Sequence, residues 1–475
     1  MAKDVKELKK EKTLKQRYLY LGIAALLLIV LVNIPPPAGL EAGAMKLLAA
    51  IVMVVFLWVT EPIPQALSAL LLPITIAFLD VAKFNAVFQM TFGSNVFAFF
   101  VGILALSVAC RKSGLSKRLA SYFCLYINKN AKVVLFGVML ITFIISMWIT
   151  DMAAVGIVIP VAIGILATFN AVPMQSNYAK ALTLGVSWGS VFGGMTTPAG
   201  VGSNIIAMNF LETAGVEISF LEWMKLCFPI GFVGLIVGYF VLIVVFKPEI
   251  KEIPINKEEV RAELAGDKMS FSQKWVLVVF LLLMLGFLTS GQTGININLI
   301  SFCAVPLLIM PGVKVFKGWK DFETSINWGS IFLAVAGVSV GTLAQEVGLS
   351  AWISDVLFAP IASMPGSLQY FAVTFLTDVV GLFLSSMTIT ASVSVPIVIA
   401  FAESIGASVV GMAIAATCAS STVIVLVTQT PTLVLSYAEG YYSLKDCAKA
   451  GIIMTVLSAA VVSVLMTLYA VIGWI

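Results

Sequence analysis

The stretch SMWITDMAAVGIVIP, Ser146–Pro160, places a carboxylate, Asp151, in the middle of a long apolar run. On insertion scales an Asp at the centre of a membrane helix costs roughly 2.5–3.5 kcal/mol. Such a residue faces a polar interior, pairs with another group, or serves an ion path. What Asp151 does depends first on whether its surroundings belong in a membrane.

They do. Of 475 residues, 60% are hydrophobic and 11% are charged, whereas soluble domains run at roughly 45–50% and 25%. The apolar runs are continuous rather than alternating, which argues for helices and against a barrel. The net charge of +4 is small and carries no nucleic-acid signature. The six cysteines (110, 124, 227, 303, 418 and 447) are scattered, mostly in apolar runs, with no CxxC pair, so they read as packing residues. There is no histidine, which excludes His metal sites and Ser-His or Cys-His catalysis. No GxxxxGK[ST] motif supports an ATPase.

Apolar segments place spans near 17–33, 43–59, 63–80, 94–110, 133–170, 180–212, 226–246, 275–290, 296–311, 328–345, 367–403, 405–435 and 449–473. A basic segment precedes the first span and no small-residue cleavage site follows it. The first helix therefore reads as a signal anchor with its N-terminus in the cytoplasm. The charged segment 247–274 carries six basic and six acidic residues and reads as a cytoplasmic linker. The expected organisation is an N-terminus and first helix (1–40), a first repeat (41–246), the linker (247–274) and a second repeat (275–475).

The halves correspond. GSNVFAFFVGILALSVACRKSGLS from Gly93 has its counterpart in GSIFLAVAGVSVGTLAQEVGLS from Gly329. The same spacing relates TDMAAVGIVIP, ending at Pro160, to SMTITASVSVP, ending at Pro396. Further on, FGGMTTPAGVGSN (192–204) pairs with LVTQTPTLVLSYAEGY (426–441). Each is a hydrophobic segment interrupted by Gly, Pro, Ser and Thr. Backbone leaves helical form at membrane depth only where it is buried in protein or lines a cavity. Two matching interruptions in two halves point to one shared midplane site of a secondary transporter. The expected fold is an all-α polytopic membrane protein of two inverted repeats. Each has five transmembrane helices and a re-entrant hairpin, and with the extra N-terminal helix there are about 11 spans. An odd number of crossings per repeat puts the C-terminus outside.

With these segments in view, the sequence resembles the divalent anion/sodium symporters, the family of citrate, dicarboxylate and sulfate carriers. The resemblance covers nearly the whole chain. It rests on TEPIP (60–64), the two Gly-Ser...Gly-Leu-Ser segments, the SMW run, GGMTTPAG and QTPTLVLSYAEGYYSLKDCAKAG (429–451). It implies a homodimer in the cell membrane, with scaffold and transport domains that move as an elevator. It also implies a Ser-Asn-Thr motif at each hairpin tip and a Thr-Pro-Pro motif on each broken helix.

Carried onto this chain, the first tip falls on Thr150, Asp151 and Met152, and the second on Ser386, Met387 and Thr388. The serine four residues before the first tip is Ser146; its counterpart is Leu382. The first broken helix supplies Gly200, Val201, Gly202, Ser203 and Asn204. The second supplies Gln429, Thr430, Pro431, Thr432 and Leu433. The resemblance thus implies coupling-ion ligands at Ser146, Thr150, Asp151, Gly200, Ser386, Thr388 and Gln429, with Na⁺ at the first four. It implies substrate contacts at Thr150, Asp151, Met152, Ser203, Asn204, Ser386, Met387, Thr388, Thr430 and Pro431.

The departures have physical content. Asp151 brings a formal charge where the family has a neutral amide. Carboxylate, hydroxyl and carbonyl oxygens suit a hard cation such as Na⁺, and a buried carboxylate can instead carry a proton. Leu382 and Met387 replace oxygen-bearing residues, so the second ion site reads as weakened. The alternative for Asp151 is a helix cap or an ion pair that stabilises the hairpin tip. Asp378, in FLTDVVG, is a second intramembrane carboxylate that fits a proton relay or a structural pairing equally. Glu61 reads as structural and Glu439 as solvated. Arg111, Lys112 and Lys117 read as topology anchors, and Trp328 and Trp474 as interface residues.

The expected function is import of a small anion coupled to Na⁺ or H⁺, with no other cofactor. The alternatives are an exchanger or uniporter with reduced cation coupling and, from another class, an ion channel. An enzyme is not expected: nothing around Asp151 and Asp378 resembles an aspartyl dyad.

Overall fold

The computed structural model describes residues 12–116, 118, 129–253, 268–384 and 386–475. Cys124, Lys117, the start of the N-terminal segment and the middle of the linker lie outside them. Among the described residues the chain is helical without a strand; an isolated bridge joins Asn130 and Glu252.

The first half runs through α1 (Leu14–Asn33), α2 (Ala42–Thr60), α3 (Gln65–Phe78), α4 (Phe84–Phe92), α5 (Asn95–Lys112), α6 (Ala131–Ser146), α7 (Asp151–Ala167), α8 (Asn177–Gly194), α9 (Gly202–Thr213) and α10 (Phe220–Phe246). The second runs through α11 (Phe271–Thr293), α12 (Ile297–Phe302), α13 (Ala304–Ile309), α14 (Trp319–Ser325), α15 (Trp328–Glu346), α16 (Leu349–Ala362), α17 (Gly366–Phe383), α18 (Met387–Ile405), α19 (Val409–Thr422), α20 (Pro431–Ala438) and α21 (Leu444–Val471). The succession repeats. A helix-turn-helix (α6–α7, then α17–α18) is followed by a broken helix (α8–α9, then α19–α20) and a long closing helix (α10, then α21).

Among the described residues, nine helical stretches are long and apolar enough to cross a membrane: α1, α2, α4–α5 together, α10, α11, α15, α17, α18 and α21. The count differs from the expected 11 because several apolar runs divide. Run 133–170 becomes α6 and α7, of 16 and 17 residues. At 1.5 Å per residue each arm is about 25 Å long, short of a hydrocarbon core of about 30 Å. Run 180–212 breaks at residues 195–201, and run 405–435 at residues 423–430. The breaks fall at MTTPAGV and VIVLVTQT, where Pro198 and Gly200 in the first and β-branched residues in the second disfavour helix. The apolar helix α16 is not among the expected spans; Ser, Asp and Pro interrupt its run.

Two apolar clusters hold the bundle. The larger gathers most of α5–α13 and α17–α21, and the smaller gathers α1–α3 with parts of α15 and α16. Helix α15 serves both, with Val335 and Val338 facing the larger cluster and Ala336 and Val340 the smaller. Helix α8 runs through the larger cluster close against α6. An added Cβ at Gly189 would lie 2.4 Å from the Met139 carbonyl oxygen, and one at Gly193 would lie 2.2 Å from that of Phe143. Only glycine permits that backbone approach, as in small-residue packing of membrane helices. It fixes the α6–α7 hairpin tip against the break that ends α8.

Candidate functional site

Four helices begin at one cavity of about 530 Å³. Thr150 and Asp151 open α7, Val201 and Gly202 open α9, Ser386 and Met387 open α18, and Pro431 opens α20; all line the cavity. The first N–H groups of a helix have no intrahelical acceptor, and its N-terminus carries about half a positive charge. Four such ends facing one space each add positive potential to it.

The halves meet here. An added Cβ at Gly202 would lie 3.0 Å from Thr388 Oγ1 and 2.6 Å from the Phe100 ring. The break after α8 is thus in contact with the start of α18.

Around Asp151 the first hairpin tip and the first break are stitched together. The Asp151 N–H donates to the Gly200 carbonyl at 3.2 Å. Ser190 Oγ donates to the Asp151 carbonyl at 2.6 Å, and Ser146 Oγ donates to the Ser190 carbonyl at 2.7 Å. Thr197 Oγ1 donates to the Met147 carbonyl. The Asp151 carboxylate accepts the Met152 N–H at 2.7 Å, a favourable position in the first turn of α7. An added Cβ at Gly194 would lie 3.3 Å from Ser146 Oγ and 3.5 Å from both the Gly200 carbonyl oxygen and Asp151 Cβ. Gly194 is thus closely packed against Ser146, Gly200 and Asp151, and its lack of a side chain lets the hairpin tip and the break come together.

The cavity wall brings together Thr150, Asp151, Met152, Gly200, Ser386, Met387, Thr388 and Pro431 of the sequence-derived candidates. Others stand behind it. Ser146 is fully buried. Asn204 donates through Nδ2 to the carbonyls of Gly194 at 2.9 Å and Thr197 at 2.6 Å, while its Oδ1 is buried without a partner among the described residues. Ser203 pairs with Ser421 at 3.3 Å. Gln429 accepts the Leu426 N–H at 2.7 Å, and its Nε2 is buried without a partner among the described residues. Thr430 accepts the Leu433 N–H at 3.2 Å and caps α20.

The second half is poorer in oxygen. Ser386 Oγ accepts the Ile389 N–H at 3.4 Å as the N-cap of α18, and the Thr388 carbonyl accepts Ser392 Oγ at 2.8 Å. Met387 is 6% exposed and presents a thioether, a weak ligand for a hard cation.

Several lining residues escape a reading of the sequence. Among the described residues, Arg111 is the one basic side chain on this wall and Asp151 the one acidic. Ser107, one turn before Arg111 on α5, shares a hydrogen bond of 3.1 Å with Thr150 Oγ1. Phe100 and Asn327 also line the cavity. The only available signal was the i, i+4 relation of Ser107 and Arg111, which puts both on one face of α5.

Helices apolar enough to cross a membrane, with a polar cavity at two broken helices, suit a membrane transporter. The family model described as the sodium:sulfate symporter transmembrane region matches residues 15–475. The chain belongs to this sodium:sulfate symporter family, which the sequence resemblance had named as the divalent anion/sodium symporters. An uncharacterized transporter of Haemophilus influenzae is 24% identical over 452 residues, 92% of this chain and 94% of its own. A sodium-dependent dicarboxylate transporter of Staphylococcus saprophyticus is 25% identical over 468 residues, 93% of this chain and 89% of its own. The crystal structure of the YdaH transporter of Alcanivorax borkumensis matches with a TM-score of 0.57 at 13% identity, covering 97% of each chain. At that identity it bears on the fold alone.

Proposed function

We propose that the protein imports a small dianion of the dicarboxylate or sulfate class, coupled to Na⁺, with Asp151 as a ligand of the coupling ion. The observation that carries this reading is the convergence of four helix N-termini on one cavity, an arrangement suited to an anion. Arg111 adds attraction at the same wall. Asp151 opposes it until a cation neutralises the carboxylate, so cation binding precedes anion binding. Ser146, Thr150, Gly200 and Asp151 serve the cation. Thr150, Met152, Ser386, Met387, Thr388 and Pro431 serve the anion, with Ser203, Asn204, Gln429 and Thr430 shaping the breaks behind them.

The repeated succession of elements supports two inverted repeats, 41–246 and 275–475, joined by a cytoplasmic linker. The basic residues of the N-terminal segment and the linker favour a cytoplasmic side for both, and an odd number of crossings per repeat then leaves the C-terminus outside. Transport then moves the hairpins and broken helices as a unit, in an elevator cycle within a homodimer.

The test is uptake into proteoliposomes of labelled succinate, citrate and sulfate under an imposed Na⁺ gradient. Accumulation that collapses when the Na⁺ gradient is dissipated is the expected result. Uptake of none of the three, or uptake indifferent to Na⁺, overturns the reading.

A further inference from the structure

Asp378 lies on α17, away from the cavity wall, and is 1% exposed. Its Oδ1 accepts the Thr422 hydroxyl at 3.2 Å, and its Oδ2 is buried with no partner among the described residues. Thr422 is the last residue of α19, where the second broken helix begins to unwind. One turn after Asp378, an added Cβ at Gly381 would lie 2.5 Å from Val423 Cγ2. The carboxyl is therefore pressed against the second break, as Asp151 is against the first.

The charges around it do not neutralise it. Helices α18, α19, α21 and α16 pack on α17. Helix α19 contributes Cys418 and no charged residue, and α18 contributes Glu403. Helix α16 contributes Asp355. Helix α21 carries Lys445, Asp446, Cys447 and Lys449 at its start and Tyr469 near its end, and α17 itself has Tyr370. Asp446 pairs with Lys180 at 3.3 Å. No ion pair is found for Asp378 among the described residues. An unpaired buried carboxylate is costly, whereas the neutral acid, with one hydroxyl donating to Oδ1 and a proton on Oδ2, is not. One hydroxyl is also too few oxygens for a metal cation.

We propose that Asp378 is a second coupling site, which binds a proton and supplements the second-half cation site that Leu382 and Met387 weaken. In the cycle the carboxylate takes H⁺ from water on one side, forming the Oδ2–H bond. That bond breaks on the other side, returning H⁺ to water and the electron pair to the carboxylate. In the present conformation the proton is occluded. This inference rests on the transport reading above for its role in the cycle, but its proton-binding step is measurable without transport.

The experiment is infrared difference spectroscopy between acid and alkaline pH on the full chain in liposomes, for wild type, Asp378→Asn and Thr422→Val. Asparagine keeps the shape of the neutral acid and still accepts from Thr422. The expected result is a carboxylic-acid C=O band present at neutral pH in wild type and missing in D378N. In T422V, which removes a donor to the carboxylate, the band persists to higher pH. In the same liposomes, uptake driven by a proton gradient falls about tenfold in D378N. A band common to wild type and D378N, or proton-driven uptake unchanged by the substitution, overturns the proposal. If no substrate is moved at all, the transport reading fails and the infrared band still decides for or against a protonated Asp378.

Discussion

The backbone N–H of Asp151 donates to the carbonyl of Gly200 at 3.2 Å, joining the tip of the first hairpin to the first broken helix. The bond ties the one acidic residue of the cavity wall to a backbone stretch that has left helical form. It also makes Gly200 hard to replace. An added Cβ would lie 2.3 Å from the Gly194 carbonyl oxygen and 2.7 Å from that of Ser146.

Gly200→Ala therefore forces the tip and the break apart. Overpacking of this kind costs about 1–3 kcal/mol, which a large helical bundle tolerates. The expected outcome is protein that elutes as wild type on size exclusion, melts a few degrees lower and has lost Na⁺-dependent uptake. Uptake at the wild-type rate would show that the tip and the break are not one site.

Asp151→Asn removes the formal charge and keeps the shape, including the acceptor for the Met152 N–H. If the carboxylate is an ion ligand, the Na⁺ concentration for half-maximal uptake rises by about tenfold or more, each tenfold being 1.4 kcal/mol. A carboxylate that only caps α7 predicts a lower melting temperature with the Na⁺ dependence unchanged. Uptake titrated with Na⁺, beside thermal melting of the same preparation, separates the two.

The breaks and hairpin tips were legible because their signal is local. Gly, Pro, Ser and Thr interrupt apolar runs, and a lone carboxylate among them has few structural uses. Arg111 was not legible. In the sequence it follows a span and looks like any basic residue that orients a helix, and only the packing of α5 against α7 brings it to the cavity. Asn204 shows the converse. Its sequence position suggests a substrate contact, yet its amide spends both donors on carbonyls of residues 194 and 197. Helices α4 and α16 escaped because polar residues divide their apolar runs below span length.

Arg111→Gln tests the charge of the cavity wall. The side chain is solvent-exposed, so its attraction for an anion is screened within a Debye length of about 8 Å at physiological salt. The expected effect is a KM for the dianion raised several-fold at low ionic strength and little changed at high salt, with maximal rate preserved. A KM that does not respond to the substitution at low salt removes Arg111 from the substrate path.

Near the same wall, Lys112 donates to the Asp321 carboxylate, fastening α5 to α14. This hydrogen bond, with that of the Lys317 N–H at 3.0 Å, holds the Asp321 carboxyl below the ordinary carboxylate range. A depressed value means that the stability it contributes is present above the unfolded-state pKa of about 3.9 and lost as pH falls through the folded value. The pair is exposed, so the contribution is small. Melting temperatures of wild type and Asp321→Asn should differ slightly at neutral pH and converge in acid. A gap that persists in acid would assign the effect to something other than the charge.

Asn204 makes the sharpest structural prediction. Its Nδ2 donates to the carbonyls of Gly194 and Thr197, which end α8 and belong to the unwound stretch that follows it. The residue is fully buried. Asn204→Asp exchanges two donors for acceptors and turns them on two carbonyl oxygens. Either a buried charge faces those dipoles, or the acid protonates and supplies one donor in place of two. Leaving buried polar groups unmatched costs about 1–3 kcal/mol each. The expected result is a melting temperature lowered by several degrees at neutral pH and partly restored on acidification, when the neutral acid again donates one hydrogen bond. Asn204→Leu, which has no donor at any pH, should be equally destabilised with no acid recovery. Equal pH profiles for the two variants would show that the amide does not hold the break in place.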